Sequence, residues 1–342
     1  MKIGILTGGG DCPGLNAVIR AVVKRSQKLG HEVIGIRDGW KGLVDLKYKE
    51  LDAAAVSGIL HLGGTILGTS RTNPFATTDG PQKVLANAKK LGLEVLIAIG
   101  GDDTLGVAHK LHQMGFPAIG VPKTIDNDLG GTDFTFGFDS AVNVVMGALD
   151  NLHSTAESHH RVLVVEVMGR HAGWIATYGG LSGGADFILI PEKPFTVSEI
   201  CDSIHRRQAA GKTFSIIVAA EGATPKETET VVTKDVRTDA FGHARLGGVG
   251  KFLCEQIAEK TGFECRDVVL GHLQRGGSPT AFDRILATRY GVAAVELVQN
   301  KDFGKMVALR GNQIVSVGLE EGIKRSKTVD MDLYHIAETF FG

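Results

Sequence analysis

Strand-length apolar runs alternate along this chain with stretches of helical periodicity. The runs fall at 2–7, 32–36, 94–99, 118–121, 161–167, 187–190 and 214–219, and such alternation predicts parallel sheets covered by helices. After the first run, Leu15, Val18, Ile19, Val22 and Val23 make one apolar stripe at helical spacing, and Gly30 is placed to stop that helix. Residues 306–319, broken at Gly311-Asn312, read as a β-hairpin. The two halves repeat one plan of strand, glycine-containing loop and helix. With 342 residues, 43% of them hydrophobic, the chain can build two lobes with buried cores. The segment 133–139, with its glycine and phenylalanines, is the expected crossover between them.

Charge and cysteine usage narrow the setting. The formal net charge is −1, so nothing in the overall balance draws nucleic acid or an anionic membrane, and any affinity for phosphate has to be local. No apolar stretch approaches membrane-spanning length. Cys12, Cys201, Cys254 and Cys265 have neither CxxC spacing nor the density of a secreted disulfide scaffold. Met1-Lys2-Ile3-Gly4 enters a strand directly, without the basic-then-apolar order of a signal peptide. A reducing cytoplasm is the expected compartment.

The candidate chemistry gathers where strands end. Pro122-Lys123-Thr124-Ile125-Asp126-Asn127-Asp128 follows the run 118–121 and sets two acids two apart beside a hydroxyl and a cation. One carboxylate there can take a proton from an attacking hydroxyl, a second acid can help to hold a metal, and the lysine can meet phosphate oxygens. Alone, the stretch would read equally as an Asx-rich turn bonded to its own backbone.

Other segments repeat the theme. Thr7-Gly8-Gly9-Gly10-Asp11-Cys12-Pro13-Gly14 joins the first strand to the first helix, where successive glycines allow an anion close to backbone N–H groups. It is neither a Walker A loop nor a dinucleotide fingerprint, since Pro13 stands where the third glycine of GxGxxG is needed. Ile99-Gly100-Gly101-Asp102-Asp103-Thr104 repeats the arrangement, and Asp102 could hold Mg²⁺ against a phosphate. Simple helix capping by Asp and Thr is the plainer account, and it leaves the two glycines unexplained. Arg71 lies among small loop residues and suits either a phosphate grip or a solvated surface. The strand before Met168-Gly169-Arg170 delivers Arg170 to its end. Arg266, His272 and Arg275 place three cationic or potentially cationic groups within ten residues, around a strand at 268–270.

In order and spacing, these motifs closely resemble those of the 6-phosphofructokinase family, from Lys2 to about Ser278. The resemblance implies two Rossmann-like three-layer α/β lobes with mainly parallel sheets. One lobe, 1–137 plus about 274–324, would bind the phosphoryl donor. The other, 138–273 plus about 325–342, would bind the sugar phosphate. It further implies Mg²⁺ and reversible transfer of a phosphoryl group to the 1-hydroxyl of fructose 6-phosphate, a step of glycolysis and gluconeogenesis. Asp126 matches the family's base, Thr124 and Asp128 its partners, Asp102 the metal-associated acid, and Arg170 the arginine that stabilises charge on the transferring group. Gly9 and Arg71 match donor contacts, beside Asp103, Thr104 and Lys123. Arg161, Met168, Gly169, Glu221, Arg266, His272 and Arg275 match the sugar-phosphate site, to which Arg161 and Arg266 reach across from a neighbouring subunit. A homodimer or homotetramer with shared active sites is therefore expected.

Two departures bear on the donor. Asp103 and Lys123 stand where ATP-dependent members of that family carry glycine, and both substitutions add bulk and charge. Asp103 fills the volume that an α-phosphate and nucleoside would need, and Lys123 adds a point charge suited to a compact polyanion. The pair resembles the pyrophosphate-dependent branch. ATP remains the alternative donor, and Trp40, at a place where ATP users stack adenine, fits that reading or simple packing under a loop. Lipid and NAD kinases share a Gly-Gly-Asp element but lack Met168-Gly169-Arg170 and Gly271-His272-Leu273-Gln274-Arg275. A non-catalytic sugar-phosphate sensor would have no use for Asp126, Thr124 and Asp102. The family's effector cluster is thinned: Arg20, Lys24 and Lys212 persist, Ala53, Gly58 and Ala210 are neutral, and His153 replaces an arginine. Control by anionic effectors is therefore not expected.

Overall fold

The computed structural model describes residues 1–226, 233–238, 241–242, 244–324 and 326–342. Its strands are β1 (Lys2–Thr7), β2 (Glu32–Ile36), β3 (Tyr48–Glu50), β4 (Val95–Gly100), β5 (Ala118–Thr124), β6 (Phe136–Gly137), β7 (Val162–Val167), β8 (Phe187–Leu189), β9 (Ser215–Ala220), β10 (Thr233–Thr238), β11 (Ala244–Leu246), β12 (Cys265–Val269), β13 (Lys305–Arg310) and β14 (Gln313–Gly318). The helices are α1 (Leu15–Lys28), α2 (Trp40–Asp45), α3 (Gly80–Lys90), α4 (Asp102–Gln113), α5 (Phe138–His159), α6 (Trp174–Ser182), α7 (Val197–Ala209), α8 (Val249–Thr261), α9 (Ala281–Gln299), α10 (Leu319–Lys324) and α11 (Met331–Glu338).

The larger sheet has the order β14-β13-β5-β4-β1-β2-β3, with β6 beside the end of β5. Its interior pairs are parallel, and only the edge pairs β2–β3 and β13–β14 run antiparallel. The chain leaves β1 toward β2 on one side and returns to β4 on the other. Between the carboxyl ends of β1 and β4 the sheet therefore has a switch point, the crevice where ligands meet an open α/β sheet. Gly8 N–H donates to Ile99 O across it at 2.9 Å. The second sheet, β12-β7-β9-β8, is parallel throughout, and its strand β7 is buried along its length.

Most apolar runs become strands within a residue or two of their expected ends, with instructive shifts. The run 161–167 starts as strand only at Val162, which leaves Arg161 outside. The run 268–270 belongs to β12, which begins at Cys265 and stops at Val269, and Leu270 leads into a short 3₁₀ helix, Gly271–Arg275. Strand β5 continues through Pro122 to Thr124. That proline is tolerated because β13 pairs with β5 only at Ile119 and Gly120, so the missing N–H breaks no bond on that side. Among the described residues no helix is long and apolar enough to cross a membrane.

Candidate active site

Thr104 shows how the crevice is built. Its side chain lies between the ends of β1 and β4, and a Cβ on Gly8 or Gly100 would come within 2.5 or 2.3 Å of it. Both glycines thus make room for a neighbour. Gly9 is different, since its φ of 76° lies in the left-handed region. The N–H groups of Gly8 and Gly9 donate to Ile99 O and Ser70 O, so the loop offers an anion less free backbone than its glycines suggest. What it offers instead is cations. Arg275 donates to Asp11 O at 3.2 Å, over the face that Gly10 leaves bare, and Lys123 Nζ donates to Gly10 O at 2.5 Å.

Lys123, at the end of β5, is buried, and burial pulls its ammonium below the usual lysine range. Asp102 and Asp103 open helix α4 after Gly101, which stands at the N-cap and brings no side chain to it. Both acids lie in the first turn, at the helix's positive end. Beyond β5 the chain turns sharply. Thr124 Oγ1 accepts the Asp126 N–H at 3.0 Å, and Thr135 ties down the loop through Thr124 O and Asn127 Oδ1. Asn127 is held at φ 52°. Asp126 is left 4% exposed, and its Oδ1 has no hydrogen-bond partner. A buried carboxylate oxygen without a partner is costly, and this one belongs to a residue that lines the cleft. Burial, with the charges of Asp126 and Asp102, raises the neighbouring Asp128 to about 7.

The second lobe supplies Arg170, just past β7. Gly169 at φ 144° and Arg170 itself at φ 54° make the turn, and Glu221 accepts the Arg170 N–H at 3.1 Å. Arg170 Nη1 lies 3.8 Å from Asp102 Oδ1. Burial opposes the charge on Arg170, but Asp102, Asp126 and Asp128 outweigh it and raise the arginine's pKa. Glu221 is itself pushed up by burial. Met168 N–H is held by Gln274 Oε1 at 3.2 Å.

One cleft is lined by Gly9, Arg71, Asp102, Asp103, Thr104, Lys123, Thr124, Asp126, Arg170 and Arg275, with Trp40 and Phe241 at its apolar side. Trp40 is packed among Leu6, Ile36, Leu43 and Val84, which favours its packing role. Arg161 and Arg266 are elsewhere. Both bond Glu264, at 2.9 and 2.7 Å, near the amino ends of β7 and β12. The six residues of β7 alone separate Arg161 from Arg170 by roughly 20 Å. His272 is exposed on the 3₁₀ helix and does not line the cleft. Asn127, Thr135 and Gln274 position functional groups, although none of them was assigned a role from sequence. Asn127 and Gln274 stand inside motifs that the sequence marked, whereas Thr135 carried no signal of its own.

The acids leave most of a metal's coordination open. Among the described residues no group of three or more His, Cys, Asp or Glu side chains forms a metal cage. A single accessible carboxylate such as Asp102, facing a site for phosphate, fits Mg²⁺, which keeps waters and takes phosphate oxygens as ligands.

Two α/β lobes that bring a buried carboxylate, an arginine and a lysine to one switch-point cleft have the arrangement of a phosphoryl-transfer enzyme. The chain belongs to the phosphofructokinase family, whose model matches residues 2–298. It is 57% identical to pyrophosphate--fructose 6-phosphate 1-phosphotransferase of Streptomyces coelicolor over 100% of both chains. It is also 52% identical to ATP-dependent 6-phosphofructokinase 3 of the same organism, over 99% of each. Among solved structures, phosphofructokinase from Saccharomyces cerevisiae superposes with a TM-score of 0.83 at 30% identity. That match covers 99% of this chain and 46% of the yeast chain, so the protein spans less than half the yeast subunit's length.

Proposed function

We propose that this protein transfers a phosphoryl group from pyrophosphate to the 1-hydroxyl of fructose 6-phosphate, giving fructose 1,6-bisphosphate and orthophosphate. The observation that carries the choice of donor is the occupation of the cleft by Asp103 and Lys123 together, with the lysine buried in its floor against Gly10. A lysine there favours a compact polyanion, and an aspartate at the rim disfavours a longer nucleotide. The full-length relative at 57% identity, named for pyrophosphate, supports the reading.

In this reading the 1-hydroxyl oxygen attacks the nearer phosphorus of pyrophosphate while its proton passes to Asp126 Oδ1. The bridging P–O bond breaks, and orthophosphate leaves with the bridging oxygen. Thr124 fixes the Asp126 backbone, and Arg170 lies where charge grows on the transferring group. Arg71 and Lys123 hold the donor, with Gly9 and Thr104 shaping its floor, and Arg275 serves the sugar phosphate. Mg²⁺, held by Asp102 and phosphate oxygens, would neutralise charge on the donor. Met168, Gly169, Glu221 and His272 border the sugar phosphate, and Arg161 and Arg266 serve the site of a second copy in a homodimer or homotetramer. Residues 1–137 plus 274–324 form the donor lobe, and 138–273 plus 325–342 the sugar lobe. The cytoplasm, where phosphorylated sugars circulate and four free cysteines stay reduced, is the matching compartment.

Nucleotide or phosphoenolpyruvate control is absent in this reading. His153, at the thinned effector cluster, is bonded to Gly183 O at 2.9 Å and packed edge-on against Phe214. Fructose 6-phosphate saturation should accordingly be hyperbolic, and a several-fold response to millimolar ADP would contradict it.

The ATP-dependent alternative keeps some force from the relative at 52% identity. Comparing pyrophosphate with ATP at equal free Mg²⁺ separates the two. The cycle Asp103→Gly, Lys123→Gly and the double variant then tests the cause. The double change should raise the ATP-to-pyrophosphate ratio of kcat/KM by orders of magnitude. A ratio within about threefold of wild type would remove these residues as the determinant.

A further inference from the structure

The segment that leaves α10 for α11 passes between the two catalytic loops and bonds both. Ser326 bridges to Leu129, and Lys327 N–H donates to Asp128 O at 2.6 Å. The Lys327 ammonium donates to Asn127 Oδ1 at 3.1 Å, Thr132 O at 2.9 Å and Asp133 O at 2.6 Å. Three acceptors converge on one nitrogen, which matches the donor number of an ammonium group. On its other side the same residue meets the second lobe. Trp174 Nε1 donates to Lys327 O at 3.0 Å, and the ammonium lies 5.1 Å from the centre of the Trp174 ring. Two residues on, Val329 N–H donates to Glu192, the carboxylate that also receives the Gly173 N–H.

Asp126 rides on the first of these loops, and Arg170 lies four residues before Trp174 on the second. We infer that Lys327 is a positioning residue for phosphoryl transfer, fixing the Asp126 loop of one lobe against the Arg170 turn of the other. It touches neither reacting group and acts through Asn127, the 132–133 carbonyls and Trp174. The chemistry needs base and arginine in register across the two lobes, and a misplacement of about 1 Å can cost on the order of 10²-fold in rate. Binding of the sugar's phosphate depends on other residues and should be spared.

This inference rests on the functional reading above, so the test separates the two. The full-length Lys327→Met and Lys327→Gln proteins are compared with wild type for kcat, for both substrate KM values, and for amide exchange. If wild type transfers from ATP alone, the donor reading fails and the same comparison proceeds with ATP. If it transfers from neither donor, amide exchange alone decides on the clamp. The expected result is a kcat loss of at least about tenfold with each KM within about threefold, and partial recovery in Lys327→Arg, whose planar fork cannot satisfy three acceptors converging on one point. Exchange should quicken together in 125–135 and 170–174 while β1 and β4 keep their protection. The inference is overturned if folded variants keep kcat within tenfold, if KM and kcat change in parallel, if exchange in the two segments is unaltered, or if neither variant folds at the assay temperature, since Lys327 would then be a residue of stability alone.

Discussion

Asp126 is buried at the cleft and has one carboxylate oxygen without a partner. Removing the carboxylate relieves that burial and, in the proposed mechanism, deletes the base. Asp126→Ser should therefore lose about 10² to 10⁴ in kcat while the fructose 6-phosphate KM changes little and the melting temperature holds or rises. Steady-state kinetics and a thermal melt check both halves, and near-normal kcat would remove Asp126 from the role of base. This residue was legible in the sequence because its motif is contiguous and follows an apolar run. The supports around it were not. Thr135 and Gln274 are ordinary polar residues whose importance comes from backbone groups they meet only after folding, and Lys327 lies 200 residues beyond the Asn127 it bonds. The direction of Arg275 was equally hidden, because its guanidinium reaches Asp11 O across 264 positions of sequence.

At the scale of elements, strands declared themselves by buried runs, and the predicted hairpin turns at Gly311-Asn312 as β13 and β14. Short pieces escaped for a physical reason. β3 and β6 have three and two residues, too few to show a period, and are defined by the partners they pair with. The junction of α5 and α9 is another tertiary feature, and it makes a testable pH effect. Asp283, in the first turn of α9, accepts from Ser140 N at 2.8 Å and Ser140 Oγ at 2.6 Å, while its Oδ1 is buried without a partner. Burial pushes this carboxyl up to about 6, against the pull of the Ser140 bonds. The folded state then binds a proton that the unfolded state releases between about pH 4 and 6. Stability from this group is present below the unfolded value and is lost as pH rises through about 6, an effect on the order of 2–3 kcal/mol. Asp283→Asn should remove that dependence. Denaturant unfolding of both proteins at pH 4.5 and 7.5 would show the difference, and parallel stabilities at the two pH values would count against it.

The whole molecule raises the question of how many chains make one site. Arg161 and Arg266 sit at the amino ends of β7 and β12, paired with Glu264, while Arg170 and the cleft lie at the opposite ends of those strands. No rotamer spans a distance of roughly 20 Å, so within one chain Arg161 cannot reach its own cleft, and Arg266 is turned to the same Glu264. If instead they complete the cleft of a two-fold partner, the site is divisible by subunit. A protein carrying Asp126→Ser is defective in its own base but lends sound arginines, and one carrying Arg161→Ser with Arg266→Ser keeps its base but lends none. In a mixed dimer one cleft collects both defects and the other collects none. With random reassociation half the dimers are mixed, and one of their two clefts is intact, so about a quarter of wild-type activity should return at low fructose 6-phosphate. Each parent alone should be near inactive under that condition, since in this arrangement the arginines would supply counter-charge that the 6-phosphate needs to bind. The measurement is activity before and after the two proteins are dissociated and reassociated together. Activity no greater than the sum of the parents would mean that each chain completes its own site and that Arg161 and Arg266 act elsewhere.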